Sequence, residues 1–455
     1  MPLKSINPAT GEMIREFSEL SDDEIGQKLQ KAQETFIAWR QTSFNDRTKK
    51  MKSAAKVLRE RKDELAAIMT SEVGKTIAAS NAEIEKCAVT CEFYAENAEK
   101  FLSEETISTD ASKSYVRFDP LGIVLAVMPW NFPLWQVFRF VAPALMAGNV
   151  GVLKHASNVQ LSGEAIESVL LEAGFPSGSF QNLNIGSSKV EDLIRDSRVK
   201  AVTLTGSEYA GSQVAKQAGK AIKKTVLELG GSDPFIVLKD ADIEMAAKTA
   251  VAARLQANAG QSCIAAKRFI VDNSVINEFT KQLVMEVNNL VVGDPKDPKT
   301  DVGPLVNEQA VMEIHKQVEE SIKRGAKLLA GGQKGKGNGF FYQPTVLSEV
   351  KKGMPVYDEE VFGPVIPVIG VKDDDEAVFV ANDSSYGLGA TIFSRDTNKA
   401  EKLAMEIESG GVFINNMVKS DARLPFGGIK KSGYGRELSS YGIKEFVNIK
   451  TIWVK

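Results

Sequence analysis

From about Ser21 to about Leu102 the apolar positions recur at helical spacing, with Ala-rich stripes set against long charged faces, and the pattern predicts a run of amphipathic helices. Beyond it the period changes. Ser114-Tyr115-Val116-Arg117-Phe118 alternates and stops at Asp119-Pro120, which predicts a strand closed by a turn. Ile123 to Val127 is a short unbroken apolar run, as expected of a strand covered on both faces. Strand-like and helix-like segments then take turns. Val150 to Leu153 precedes a helix around Gly163 to Ala173, Ala201 to Leu204 precedes one around Gly211 to Gly219, and Thr225 to Leu229 follows. A second series opens with Phe235 to Leu238, a helix from about Asp242 to Gln256, and a strand near Arg268 to Val271. The tail, Phe446 to Lys455, reads as a final strand. Repeated strand–helix–strand units predict doubly wound α/β sheets, with a domain boundary near Gly230-Gly231. No internal repeat or low-complexity segment interrupts them.

Composition narrows the function classes. A chain of 455 residues calls for two domains or more, and its 43% hydrophobic and 25% charged content is ordinary for a globular protein. The net charge of -3, with both signs spread along the chain, argues against a nucleic acid or an anionic membrane as partner, since either needs a concentrated basic face. No apolar run approaches the roughly 20 residues of a membrane helix. Met1 to Thr10 shows no basic stretch followed by an apolar one, so no secretory leader is expected. Of three cysteines, Cys87 and Cys91 lie together on a helical stretch and Cys263 is remote, which points away from disulfides and toward a reducing cytoplasm. The two histidines, His155 and His315, cluster with no cysteine, so no metal site is expected and a histidine-assisted hydrolase lacks its base.

Three residues stand out chemically. Cys263, in Gly260-Gln261-Ser262-Cys263, follows a helix, a glycine and two small polar residues, a context that lets the chain turn and present a sulfur nucleophile. Taken blindly, a cysteine more often fills a core, and Cys87 and Cys91 fit that reading. Glu228 ends an apolar strand next to Gly230-Gly231, where burial would raise its pKa and suit it to act as a base; taken alone, an ion-paired or solvated side chain is the simpler reading. Asn131, in Pro129-Trp130-Asn131-Phe132-Pro133, is held between prolines and aromatics and could donate to a developing oxyanion, although a turn asparagine is the simpler reading. Sites at strand ends match the carboxyl edge of an open α/β sheet. Thr205-Gly206-Ser207-Glu208 reads as a capping box opening a helix, whose N-terminus would suit a pyrophosphate.

From end to end the chain resembles the NAD(P)-dependent aldehyde dehydrogenases. The matching stretches are Asn7 to Gly11, Pro129 to Pro133, Ala147-Gly148-Asn149, Thr205-Gly206-Ser207, Glu228 to Gly231, Gly260 to Cys263, Glu359 to Pro364, and Pro425 to Gly428 with Ser432-Gly433. Within that family the chain is most similar to the bacterial succinate-semialdehyde dehydrogenases. The resemblance implies two doubly wound, Rossmann-like α/β domains plus a small oligomerisation sheet. It assigns residues 1–101 and 120–230 to dinucleotide binding, 231–431 to catalysis, and 102–119 with 445–455 to an arm that pairs across subunits in a homodimer or homotetramer. It implies that Cys263 attacks an aldehyde, that the Asn131 amide and the Cys263 N–H hold the oxyanion, and that Glu228 activates water to hydrolyse the thioester. Trp130, Lys154, Ser157, Gly186, Gly206, Ser207, Glu360 and Phe362 are implied on the cofactor. Ser157 stands where many NAD-dependent members carry a glutamate, which favours NADP over NAD because a carboxylate would repel a 2′-phosphate. NAD stays an alternative, since His155 replaces the usual proline of that loop.

The same resemblance puts Trp135, Arg139 and Ser420 on the substrate. Trp135 and Arg139 lie four and eight positions after Asn131, about one and two helical turns, so Arg139 could grip the far carboxylate of a short semialdehyde. A second arginine found six positions before the nucleophile in some semialdehyde enzymes is replaced by Ala257. The expected reaction is oxidation of succinate semialdehyde to succinate. A broad small-aldehyde dehydrogenase, an acylating dehydrogenase that hands its thioester to coenzyme A, and a non-catalytic binding protein on the same fold are the alternatives.

Overall fold

The computed structural model describes residues 3–455; the first two positions of the expected dinucleotide-binding segment, and of the stretch searched for a leader, lie outside the described residues. The helical run forms as Asp22–Trp39, Phe44–Glu60, Lys62–Val73 and Ile77–Phe101. The first of these starts at Ser21, whose hydroxyl accepts from Glu24 N–H while the Glu24 carboxylate returns to the Ser21 backbone. It buries Ile25, Leu29, Ala32, Phe36 and Trp39, the single stripe that its periodicity predicts.

The alternating region builds two sheets. The first has six strands in the order Gly433–Tyr434, Lys224–Glu228, Val199–Thr205, Ile123–Val127, Val150–Lys154, Phe180–Asn182, all parallel except the short strand at its edge. Chain order reverses direction between Ile123–Val127 and Val199–Thr205, which opens a crevice at their carboxyl ends. Register aligns Val127 with both Lys154 and Leu204, and Thr205 with Glu228, so these residues form one row along that edge. The second sheet has seven strands in the order Lys327–Ala330, Thr345–Ser348, Val365–Val371, Arg268–Asp272, Pro234–Val237, Gly389–Phe393, Gly411–Ile414. Each sheet is backed by its own apolar core, one drawing on residues up to Leu229 and the C-terminal segment, the other on Phe235 to Ile407. A third, antiparallel sheet joins Glu105–Thr106, Lys113–Pro120 and Val447–Val454. Its outer strand leaves Ile449, Trp453 and Val454 exposed. No helix among the described residues is long and apolar enough to cross a membrane.

Two sequence expectations are corrected. Ser207, not Thr205, is the cap of the helix Glu208–Lys220; its hydroxyl accepts from Ala210 N–H, and with alanine at the third helical position no capping box forms. The helix expected from Asp242 to Gln256 is α-helical over Ile243–Val251 and then widens into a π turn over Ala252–Gln256. That wide turn carries Arg254, whose buried guanidinium donates to the carbonyls of Val361 (2.7 Å), Gly363 (2.5 Å) and Val365 (2.8 Å). Helix periodicity could not register a distortion coupled to a partner more than a hundred residues away.

Candidate active site

Cys263 stands on the loop between the π turn and the amino end of Arg268–Asp272, not at a carboxyl edge as the other strand-end sites are. The chain reverses there through Ala259 (φ 49°) and Gly260 (φ 76°). A Cβ on Gly260 would lie 2.2 Å from the Gly363 carbonyl oxygen, so only glycine lets the loop pass that close. Gly231 is constrained in the same way by the Cys263 carbonyl, 2.8 Å from where its Cβ would stand. The second sheet thus brings Cys263 from its amino-terminal side up to the carboxyl edge of the first.

The turn Trp130–Pro133 is clamped from two sides. Glu83 accepts from the N–H groups of Leu134 (2.9 Å) and Trp135 (2.8 Å), a carboxylate at the start of the wholly buried helix Trp135–Ala147, and it also pairs with the buried Lys75, whose ammonium lies 3.7 Å over the Phe132 ring. On the other side His155 Nε2 donates to the Pro133 carbonyl (3.0 Å) while its Nδ1 accepts from Ala156 N–H (3.0 Å). Burial holds this ring's pKa down to about 4, so it is a neutral strut joining the Asn131 turn to the loop after Lys154. The Asn131 amide donates to the Gln261 carbonyl (3.1 Å), and Asn258 donates to the Asn131 carbonyl (2.9 Å). One amide proton of Asn131 stays uncommitted.

A cavity of about 230 Å³ lies where the two sheets meet. Cys263, Asn131 and Trp130 line it together with Gly206, Ser207, Glu360 and Phe362, so seven of the residues singled out from sequence share one space. Trp130 and Phe362 meet edge to face at 6.0 Å. Glu360 accepts from Gly231 N–H (2.9 Å). Lys154 is buried at the same sheet edge without an ion pair; burial lowers its pKa, and Glu19 opposes that shift. Glu19 also lies against Gly186, where a Cβ would come within 3.0 Å of its carboxylate. Ser157 is half-buried after Lys154. Lys154, Ser157 and Gly186 lie outside the cavity itself.

Glu228 is fully buried and is not among the residues that line the cavity; its Oε1 lies close to Gly427, and neither carboxylate oxygen has a hydrogen-bond partner. Burial lifts its pKa well above the usual carboxylate range, against the pull of Arg139 and Arg436 and reinforced by Glu437. Burial also pushes the Cys263 thiol up to about 12, with Arg139 opposing and Glu228 adding to the shift. Both shifts favour the neutral forms, a thiol and a carboxylic acid, over the ionised ones.

The expected substrate residues divide. Arg139 is 1% exposed; its Nε lies 2.5 Å from Glu437, its Nη2 donates to Thr205 Oγ1 (3.2 Å), and its guanidinium stacks on Phe426 at 4.8 Å. The cation expected to meet a substrate carboxylate is thus already engaged by Glu437 in the folded chain. Helical spacing placed Arg139 on the right face, but nothing local announced a partner about 300 residues on. Trp135 and Ser420, by contrast, meet through Lys86: its Nζ donates to Ser420 Oγ (2.6 Å) and lies 4.2 Å over the Trp135 ring. Sequence reasoning missed Lys86, Lys267, Arg254, Asn258 and Glu437. The available signal was a charged side chain within an otherwise apolar stretch, as at Arg254 and Lys267-Arg268.

Residues 1–452 match the aldehyde dehydrogenase family, and the chain belongs to it. A probable succinate-semialdehyde dehydrogenase [NADP(+)] of Synechocystis sp. is 52% identical over 454 residues, covering 100% of both chains. Succinate-semialdehyde dehydrogenase [NADP(+)] 1 of Mycobacterium bovis is 51% identical, again over 100% of both. The crystal structure of succinic semialdehyde dehydrogenase from Streptococcus pyogenes in complex with NADP+ superposes with a TM-score of 0.97 at 40% identity, over 99% of each chain.

Proposed function

We propose that this chain oxidises succinate semialdehyde to succinate with NADP. The observation that carries the reading is the opening of the Cys263 thiol and the free proton of the Asn131 amide onto one cavity. The thiol sulfur adds to the aldehyde carbon. Asn131 Nδ2, with the Cys263 N–H, meets the oxygen as it gains charge, and donors of this kind contribute about 3–4 kcal/mol each. Glu228 acts in its ionised form: it takes the proton the thiol gives up, releases it to solvent, and later takes one from the water that cleaves the thioester, which requires its side chain to rotate from Gly427 toward the cavity. The dinucleotide fits the row of Gly206, Ser207 and Lys154: the free N–H groups opening Glu208–Lys220 suit a pyrophosphate, and the unpaired Lys154 with Ser157 suits a 2′-phosphate. Bound there, NADP supplies the hydride acceptor. Trp130, Glu360 and Phe362 border the nicotinamide end, with Gly186 at the adenosine end.

The two relatives named for succinate-semialdehyde oxidation with NADP(+) support the substrate and cofactor at half identity over full length. Residues 1–101 and 120–230 serve as the dinucleotide-binding domain and 231–431 as the catalytic domain. The strands within 102–119 and 445–455, whose outer apolar side chains are uncovered in one chain, serve as an arm pairing copies in a homodimer or a pair of dimers. The enzyme works in the cytoplasm. Ala257 and the neutralised Arg139 favour broad small-aldehyde oxidation as the second reading. A coupled absorbance assay of NADP and NAD against succinate semialdehyde and butanal tests all of this: a clear preference for the semialdehyde with NADP supports the proposal, and equal efficiency with butanal refutes the substrate.

A further inference from the structure

Lys86 lies in the middle of the helix Ile77–Phe101, one turn after Glu83, and reaches toward the start of Trp135–Ala147. Its neighbours are engaged elsewhere. Glu83 is held by Lys75 and two backbone N–H groups, Asp421 by Arg423 through a bond of 2.6 Å, and Arg139 by Glu437. Among the described residues no carboxylate comes within ion-pair distance of Lys86. Its ammonium makes one hydrogen bond, to Ser420 Oγ, and rests on the Trp135 ring, which leaves a donor without a partner. The side chain is partly accessible. Burial, with Arg139 adding to it, lowers its pKa to about 8, so it is still cationic near neutrality. A partly desolvated cation without a counter-charge awaits an anion.

We propose that Lys86, with the Ser420 hydroxyl, is the specificity-determining site for the carboxylate at the far end of the substrate, the role that the sequence suggested for Arg139. The inference rests on the proposed oxidation of a semialdehyde acid. Trp135 opens its helix four residues after the oxyanion donor Asn131, and Lys86 over its ring and Ser420 beyond lie at that end of the helix. The Trp135 ring then walls the methylene groups while Lys86 and Ser420 meet the carboxylate.

The test compares kcat/KM for succinate semialdehyde and butanal in wild type, Lys86→Met, Lys86→Gln and Lys86→Arg. Loss of the charge should cut the preference for the semialdehyde by roughly tenfold or more, as expected for a charge-assisted contact, mainly through KM, and Lys86→Arg should restore most of it. Quenching of intrinsic tryptophan fluorescence by succinate gives a readout free of turnover and should weaken in parallel. Lys86→Gln keeps a donor for Ser420 and carries the test if the methionine variant does not fold. Retained preference and retained succinate binding in Lys86→Gln would overturn the assignment while leaving the substrate reading intact. A wild-type enzyme that shows no preference brings both down, and that result appears before any substitution is made.

Discussion

Lys267 Nζ lies 2.7 Å from the carbonyl oxygen of Cys263, so the proposed nucleophile is held through its own backbone by a fully buried ammonium four positions on. The same ammonium donates to the carbonyls of Ser262 (2.9 Å) and Ala265 (3.3 Å) and lies 3.5 Å from Glu360. One side chain therefore links the nucleophile loop to a residue across the cavity.

Replacing Lys267 by Met removes the cost of burying a charge but strands three carbonyls, and an unsatisfied buried polar group costs about 1–3 kcal/mol. We expect a net loss of roughly 1–3 kcal/mol in urea unfolding, together with a fall of at least about tenfold in kcat/KM. Wild-type kinetics in a folded Lys267→Met protein would show that the loop needs no such anchor.

The thiol with its pKa near 12 should react slowly in the cofactor-free protein. Alkylation by iodoacetamide should rise about tenfold per pH unit between pH 7 and 9, because the thiolate fraction does. Mass spectrometry should find the label on Cys263 alone, since Cys87 and Cys91 are fully buried. Fast labelling at pH 7 with a flat profile would contradict this electrostatic picture.

Glu228→Gln should abolish turnover yet stabilise the fold in alkaline solution. In the unfolded chain a glutamate ionises near its ordinary value, whereas buried Glu228 keeps its proton to higher pH. Native stability is thus lost as pH rises from the ordinary carboxylate range until Glu228 itself ionises. The variant lacks this penalty and should exceed wild type by at least about 1 kcal/mol at pH 8, with little difference near pH 4. Thermal unfolding at the two pH values checks it; a difference that is equal at both would be incompatible.

At the proposed adenosine end, Glu19 faces Lys154 and Gly186. Glu19→Gln should tighten NADP binding by about fivefold, the worth of ~1 kcal/mol of relieved repulsion, with a smaller effect on NAD. Ser157→Glu should act in the opposite sense and swing preference toward NAD. Dissociation constants from fluorescence titration with each nucleotide decide it, and equal shifts for both nucleotides would remove the phosphate from the explanation.

Much of the architecture was legible because its signals are local. The strand at Ile123 to Val127 is an unbroken apolar run, and it sits in the middle of the first sheet, buried at every position but Val127. The helix start near Ser207 is also legible, although the sequence puts its cap two residues early, at Thr205. Some motifs that carried the resemblance serve architecture rather than chemistry: Asn149 accepts from Gly122 N–H (3.0 Å) and donates to the Phe446 carbonyl (2.9 Å), tying the first sheet to the C-terminal segment. What stayed hidden depended on distant partners. Arg139 and Glu437, Lys86 and Ser420, and Arg254 and the Gly363 carbonyl are each separated by more than a hundred residues, and periodicity carries no information about such pairs.

The order of apolar and polar residues determined which segments become strands and helices, and residue chemistry nominated Cys263, Glu228 and Asn131, because both follow from side-chain type and near neighbours. Only the folded chain decided which charges are free. Burial makes each cation seek the nearest counter-charge or carbonyl, and the packing of the two sheets gave Arg139 to Glu437, Lys267 to the nucleophile loop, and left Lys86 open to an anion.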